Sequence, residues 1–532
     1  MDFESLVAQA KSSVEKQNIT EAINLLKQAL KINSNSYDVC NKLGTLNLHI
    51  GDLQTSEEYF KKSLLINPNS LKAYSNLGTI YFRLNKKELA LKNYLKAIDI
   101  DPKNFSVNYN LGNYFFFQNN INEAEKYFLI SIDLQPENFY PYNNLFQIYE
   151  RTNNLEKLEN IFQKIIKNFN RTSEVQFLEG IFEFRKKNYN KTIQIFKDLR
   201  IEKKLVQHNI LKENILAKSY DFTGFYNKAF EHFSISNDIL KVSFKNKFNK
   251  DRYLDIVKKR LSYISNLNNK LDNNIEIIDN FIDPTFLIGF PRSGTTLLDT
   301  ILRTHKSIEV LEEKSLTDEL IKNLDNFVNK DLSNLKNVNL EQIKHLRKLY
   351  FKQREALVGF NKDISYIDKL PLNIVHLAEL SRIFPKAKFI LALRNPYDVV
   401  LSCFMQPFVP NDAMSNFYNL NDTAELYNLV MKLWKKYEES LDIDKYTIKY
   451  EDVVFNFDQS LKSLLKFLSI SWTDDLKNFH LTAQKRGMIN TPSYNQVNTP
   501  IYSKSISRWK NYNNKFSEIN FILEKWSKNF EY

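Results

Sequence analysis

Cysteine is almost absent from this sequence: only Cys40 and Cys403 occur in 532 residues. Two thiols so far apart exclude a disulfide framework and a CxxC metal site, and each stands in an apolar, helix-patterned stretch where a buried thiol is the ordinary outcome. Glycine (10) and proline (13) are scarce as well, beside 43% hydrophobic and 14% aromatic residues. That balance excludes a disordered chain and favours a helical, globular one of two to four domains. No apolar run reaches the length of a membrane-spanning helix. The opening MDFESLVAQAK lacks the basic segment and apolar core of a secretory signal, so a cytoplasmic protein is expected. No His/Cys/carboxylate cluster has metal-ligand spacing, and no metal is expected. The net charge of +12 is spread among acidic residues rather than gathered into a basic stripe with interleaved aromatics, which argues against a nucleic-acid partner. A solvated basic surface and a polyanionic ligand explain the surplus equally well.

What is present is a repeat. Ala10, Gly44, Gly78 and Gly112 lie 34 residues apart, and the same period carries Ala22, Ser56, Ala90, Ala124 and Leu26, Phe60, Tyr94, Phe128. Pro68, Pro102 and Pro136 close successive units. Several columns holding one phase over four units define a tetratricopeptide array, with small residues where the two helices of a unit cross and bulky aromatics between neighbouring units. Degenerate units continue through Gly180 and Phe196 to Ala229 and Phe233, so the array is expected over 1–245, followed by a helical connector over 246–280 and a second domain over 281–532. Such an array offers a concave surface for a protein or peptide, or serves as scaffold.

The second domain opens on FLIGFPRSGTTLL, Phe286 to Leu298: an apolar strand, a tight loop, then a helix marked by Leu297, Leu298 and Ile301. Backbone N–H groups of Ser293, Gly294, Thr295 and Thr296 would converge with a helix N-terminus on one point, a site for phosphate. Gly289-x-x-x-x-Gly294 has Walker A spacing, but Thr295 stands where a kinase or NTPase needs Lys, and Arg292 inside the loop supplies the cation. Further on come Glu312-Glu313, with His305 in the same segment. ISYIDKL follows, a strand ending at Asp368-Lys369, and then AKFILALRNPYDVVLS, in which Arg394 ends a strand and Ser402 follows about two helical turns later. YTIKY, ending at Tyr450, reads as another strand leading into a helix. The stretch 491–512 is polar and Pro-punctuated, suited to a lid over an anionic ligand.

In order and spacing these motifs resemble the sulfotransferases, and most nearly the tyrosylprotein sulfotransferases and related repeat-bearing bacterial enzymes. PRSGTT is similar to their 5′-phosphosulfate loop, and the likeness runs over about 284–512. The resemblance implies an α/β domain with a mainly parallel sheet and a P-loop-like start, preceded by the all-α solenoid. It implies 3′-phosphoadenosine 5′-phosphosulfate (PAPS) as co-substrate and an acceptor hydroxyl, most attractively of protein tyrosine. A carbohydrate or small-molecule hydroxyl is the alternative. By residue it implies Glu313 as general base, with His305 as the rival that small-molecule sulfotransferases would suggest. Arg292, Lys369 and Ser493 would act at the transferred group, Arg394, Ser402 and Arg508 at the 3′-phosphate, and Tyr450 beside the adenine. A kinase-like NTPase and a non-catalytic interaction protein are the other classes, and the oligomeric state is open.

Overall fold

The computed structural model describes residues 1–267, 277–485, 500–501 and 503–532. The chain packs as two compact units, Met1–Val175 and Gln176–Tyr532, so the helices beyond 176 pack with the C-terminal domain even though the repeat pattern runs on to about 245.

The first unit is all helical, and its period is written in its caps. Asn18, Asp52, Asn120 and Asn154 each accept a hydrogen bond from the backbone N–H three residues on, satisfying a donor that the helix start leaves orphaned. Just before those four caps and before Lys86, Gln17, Gly51, Asn119, Asn153 and Asn85 turn the chain through left-handed backbone, a column in which asparagine does the work usually given to glycine. Phe60, Tyr94 and Phe128 of the second helices each pack against the glycine of their own unit. A Cβ on Gly44, Gly78 or Gly112 would lie 2.8, 2.5 or 2.6 Å from Phe60, Tyr94 or Phe128. The aromatic column thus fills the crossing inside the unit first, and touches the next unit through the shared cluster of Phe60 with Ala73 and Leu77.

In the second unit, helices Val206–Phe222, Tyr226–Phe244 and Lys250–Ser265 precede a five-stranded sheet. Its strands are β1 (Thr285–Gly289), β2 (Ile308–Glu312), β3 (Ser365–Lys369), β4 (Lys388–Leu393) and β5 (Asp444–Lys449), in the order β2-β3-β1-β4-β5. Every pairing is parallel, and β1 is buried along its whole length, which is why it reads as a continuous apolar run rather than an alternating one. Leu298, Ile301 and Leu302 from the helix after β1 meet Ile390, Ile448, Leu461, Leu464 and Leu465 in one core. The segment after β5 forms two helices, Tyr450–Phe455 and Phe457–Leu468, not the single one its apolar spacing predicts, because the chain breaks at Asn456 with φ −131° and ψ 49°. Among the described residues no helix is long and apolar enough to cross a membrane.

A parallel sheet delivers all its strand ends to one edge, and ligands of such sheets bind there. At that edge stand the loop after β1, Glu312 ending β2 with Glu313 next to it, Lys369 ending β3, Arg394 after β4 and Tyr450 after β5.

Candidate active site

The loop between β1 and helix Thr295–Arg303 turns at two left-handed residues, Arg292 (φ 71°) and Gly294 (φ 98°). Ser293 N–H donates to Phe290 O at 3.1 Å and closes the turn. Both glycines of the motif answer to close approach: a Cβ on Gly289 would sit 2.7 Å from Ala392 O on β4, and one on Gly294 would sit 2.9 Å from the Tyr450 ring. The helix therefore starts from an αL residue, and its first-turn N–H groups have no intrahelical partner, the geometry that favours an anion.

Next to this loop, Arg292 Nε donates to Ser402 Oγ at 3.0 Å, linking the turn to helix Pro396–Phe404. Arg394 donates to Arg292 O at 3.3 Å, and its guanidinium lies over the Tyr450 ring at 5.0 Å, a stacked cation. Arg394 Nε is buried and lacks a hydrogen-bond partner among the described residues. Behind it, Asn395 caps the helix through the Tyr397 N–H and gives its own N–H to Glu451 at 3.0 Å. Burial raises the Glu451 carboxyl above its ordinary range, with the Asn395 N–H working against the rise.

Asp398, on the first turn of that helix, accepts the backbone N–H groups of Ser507 at 2.7 Å and Trp509 at 3.0 Å. Burial raises its pKa, opposed chiefly by the Arg394 charge. Trp509 stacks on Tyr397 with centroids 4.3 Å apart. These contacts hold the chain around 505–512 against the cleft, with Arg508 among its lining residues.

On the other flank, Glu313 N–H donates to Lys369 O at 2.8 Å, carrying the β2–β3 pairing one residue past the strand. Lys369 is 0% exposed; its ammonium lies 2.7 Å from Glu313 Oε1, 3.7 Å from Glu312 Oε1 and 4.0 Å from Asp299 Oδ2. Glu313, by contrast, is 41% exposed at its side chain and lines the cleft. A buried cation among carboxylates is held only if such partners surround it.

One cleft of about 1270 Å³, mouth included, brings together Arg292, Gly294, Thr295, Thr296, Glu313, Arg394, Ser402, Tyr450 and Arg508. Ser293 and Lys369 are not among its lining residues: the Ser293 hydroxyl is buried beside Gly289, and Lys369 reaches the cleft through Glu313. Ser493 lies outside the described residues. His305 is buried away from the cleft, with Nε2 3.0 Å from Ser471 O and Nδ1 accepting Ser307 N–H at 3.1 Å, so both ring nitrogens are engaged and it has no free position for a base. The charged lining consists of Arg292, Arg394, Arg508, Glu313 and Asp398, and Asp398 is already engaged by two backbone donors. Three guanidiniums, an orphaned Arg394 donor and a helix N-terminus fit a ligand with phosphate at two points. Asp398 was not singled out from the sequence, although a lone acid in a helix otherwise without charge signals a partner.

Residues 284–474 match the sulfotransferase family model, and 37–70, 78–119 and 105–138 match tetratricopeptide models. The chain thus carries a stretch similar to the sulfotransferase family behind stretches similar to tetratricopeptide repeats. Its relatives include an uncharacterised protein of Aquifex aeolicus, 24% identical over 47% of this chain and 33% of that one. Another is protein-tyrosine sulfotransferase 2 of Gallus gallus, 24% identical over 42% of this chain and 62% of the relative. The chain spans less than two thirds of the length of either. A tetratricopeptide repeat protein from Parabacteroides merdae aligns at 17% identity, covering 44% of this chain and 93% of its own, with a TM-score of 0.36.

Proposed function

We propose that the protein transfers a sulfuryl group from PAPS to an acceptor hydroxyl. The reading rests above all on the meeting of Arg292, Arg394 and Arg508 with the Gly294 loop in a cleft that also holds Glu313. PAPS supplies the sulfuryl group: its sulfur bonds to the acceptor oxygen while the bond to the phosphate oxygen breaks. With the Ser293 N–H engaged by Phe290 O, the N–H groups of 294–296 hold the 5′-phosphate, and Arg394, Ser402 and Arg508 hold the 3′-phosphate. Glu313 takes the proton of the acceptor hydroxyl, its carboxylate aimed by the Lys369 ammonium at 2.7 Å. Arg292 stabilises the negative charge that develops on the departing side, and Lys369 adds its positive field from behind Glu313. Ser493 keeps its proposed role at the transferred group.

Protein tyrosine is the proposed acceptor. Leu370, Leu372, Met405, Phe408 and Met414 line the same cleft and suit an aromatic ring better than a sugar. The repeat array is proposed to carry a protein or peptide.

Calorimetry with adenosine 3′,5′-bisphosphate, adenosine 5′-phosphate and ATP tests the nucleotide assignment, and incubation with sulfur-labelled PAPS and tyrosine peptides tests the acceptor. Binding strongest for the bisphosphate, with label on tyrosine, is expected. Preference for ATP overturns the nucleotide reading, and label confined to sugars overturns the acceptor.

A further inference from the structure

Asp221 lies at the end of helix Val206–Phe222, in a segment that the sequence reads as the last repeat, and outside the matched 284–474 span. Its two carboxylate oxygens serve two residues of the tail. Oδ2 accepts Arg508 Nη2 at 2.7 Å, and Oδ1 accepts the Tyr512 hydroxyl at 2.5 Å. Asp221 is 8% exposed at its side chain while Arg508 is 28% exposed, so the acid forms the inner anchor and the guanidinium reaches outward to the cleft. The same pair of helices also holds the neighbouring wall. Asn214 donates to Met405 O and Asn237 to Phe404 O, both at 2.9 Å, and Phe230 stacks on Phe404 at 4.8 Å. Met405 and Phe404 end the helix that carries Ser402. Residues 206–244 therefore grip both structures on which the 3′-phosphate assignment depends.

We infer that Asp221 is a positioning residue for the 3′-phosphate, fixing Arg508 against the cleft through a charge-assisted hydrogen bond while tying Tyr512 with its other oxygen. The inference rests on the PAPS reading for its ligand, though not for its geometry. An arginine side chain left alone samples many rotamers, and a buried carboxylate bonded at both oxygens removes that freedom before the ligand arrives. The removed charge works in the opposite sense, since without Asp221 the cleft becomes more positive and holds any anion more tightly. Loss of orientation is selective for the 3′-phosphate; gain of charge is not.

The test uses the full chain with Asp221→Asn, Asp221→Ala, Arg508→Ala and the double variant Asp221→Ala/Arg508→Ala. Calorimetry gives the preference for adenosine 3′,5′-bisphosphate over adenosine 5′-phosphate, and amide hydrogen exchange gives the protection of 503–515. Asp221→Ala and Asp221→Asn are expected to cut the preference by about ten-fold and to loosen 503–515, and Asp221→Ala to do nothing further to the preference once Arg508 is gone. Equal weakening of both nucleotides, or full additivity with Arg508→Ala, overturns the inference. Unchanged exchange in 503–515 also overturns it, whatever the nucleotides do. If exchange rises as expected but the parent protein shows no preference for the bisphosphate, the PAPS reading and the ligand named here both fall, while the anchoring of the tail by Asp221 stands.

Discussion

The Lys369 ammonium, wholly buried, meets the half-exposed Glu313 carboxylate at 2.7 Å across the ends of two neighbouring parallel strands. Glu312 and Asp299 stand behind the pair at 3.7 and 4.0 Å, so the lysine is the hub of a small charge cluster and Glu313 is its one arm in the cleft.

The two residues separate by experiment. Glu313→Gln is expected to lower turnover by about 10²- to 10⁴-fold, the span of a lost general base, with a smaller loss of stability than Lys369→Met because Glu312 and Asp299 remain near the ammonium. Lys369→Met should lower turnover and also cost about 3–5 kcal/mol of stability in urea, because it leaves buried carboxylates facing one another. Wild-type turnover in Glu313→Gln would move the base elsewhere.

Arg394→Met is expected to weaken adenosine 3′,5′-bisphosphate by about 10- to 100-fold through loss of a charged hydrogen-bond donor, and to leave adenosine 5′-phosphate nearly unaffected. Ser402→Ala should do less, about 2- to 10-fold, since it removes one neutral hydroxyl. Calorimetry on both nucleotides checks the order.

Gly294→Ala forces a side chain onto φ 98° and a Cβ within 2.9 Å of Tyr450. Nucleotide binding should fall at least about ten-fold from the combined strain and clash. Adding Tyr450→Leu relieves the clash but not the backbone strain, so only part of the affinity should return. Full recovery would show that Tyr450 alone demands the glycine.

Gly78→Ala sets a Cβ 2.5 Å from Tyr94 in the first unit. Overpacking of this kind costs about 1–3 kcal/mol, and the helical signal on heating should show an earlier transition. Shrinking the ring with Tyr94→Leu should restore much of the loss.

Asp368, beside Lys369, is fully buried and pushed up to about 7 by desolvation, although the Tyr350 hydroxyl at 3.1 Å works against the rise. Because its folded pKa lies above the unfolded one, the native state binds the extra proton between about pH 4 and 7. Stability from this group is whole below pH 4 and declines as pH climbs to 7, by at most a few kcal/mol. Asp368→Asn cannot titrate, so its stability relative to the parent should improve from pH 5 to pH 8. Urea unfolding at the two values decides; no change in the difference would mean that Asp368 titrates near its ordinary value.

Much of this was legible. The repeat showed itself because each glycine and aromatic is a steric pair repeated along the chain. The loop did so because Gly289 and Gly294 each face a neighbour that excludes a Cβ. Arg394 and Ser402 were legible as a strand end and the helix it feeds. The aromatic column, however, reads as a seam between units, whereas its first partner is the glycine of its own unit, since periodicity reveals which residues are buried but not against what. The break at Asn456 was hidden by apolar spacing that continues through both helices. Asp221 could not be found, because its partners Arg508 and Tyr512 are nearly three hundred residues away and nothing local marks an acid at a helix end as an anchor.

The all-parallel sheet also governs how the domain comes into being. Thr285 must find Ile367 on one side and Lys388 on the other, so no two neighbouring strands can zip together as a hairpin. The helical array, built from contacts within and between adjacent units, can settle quickly and early in synthesis, whereas the sheet waits for β5 to leave the ribosome. Refolding should accordingly be biphasic, with competence to bind nucleotide arriving only in the slow phase.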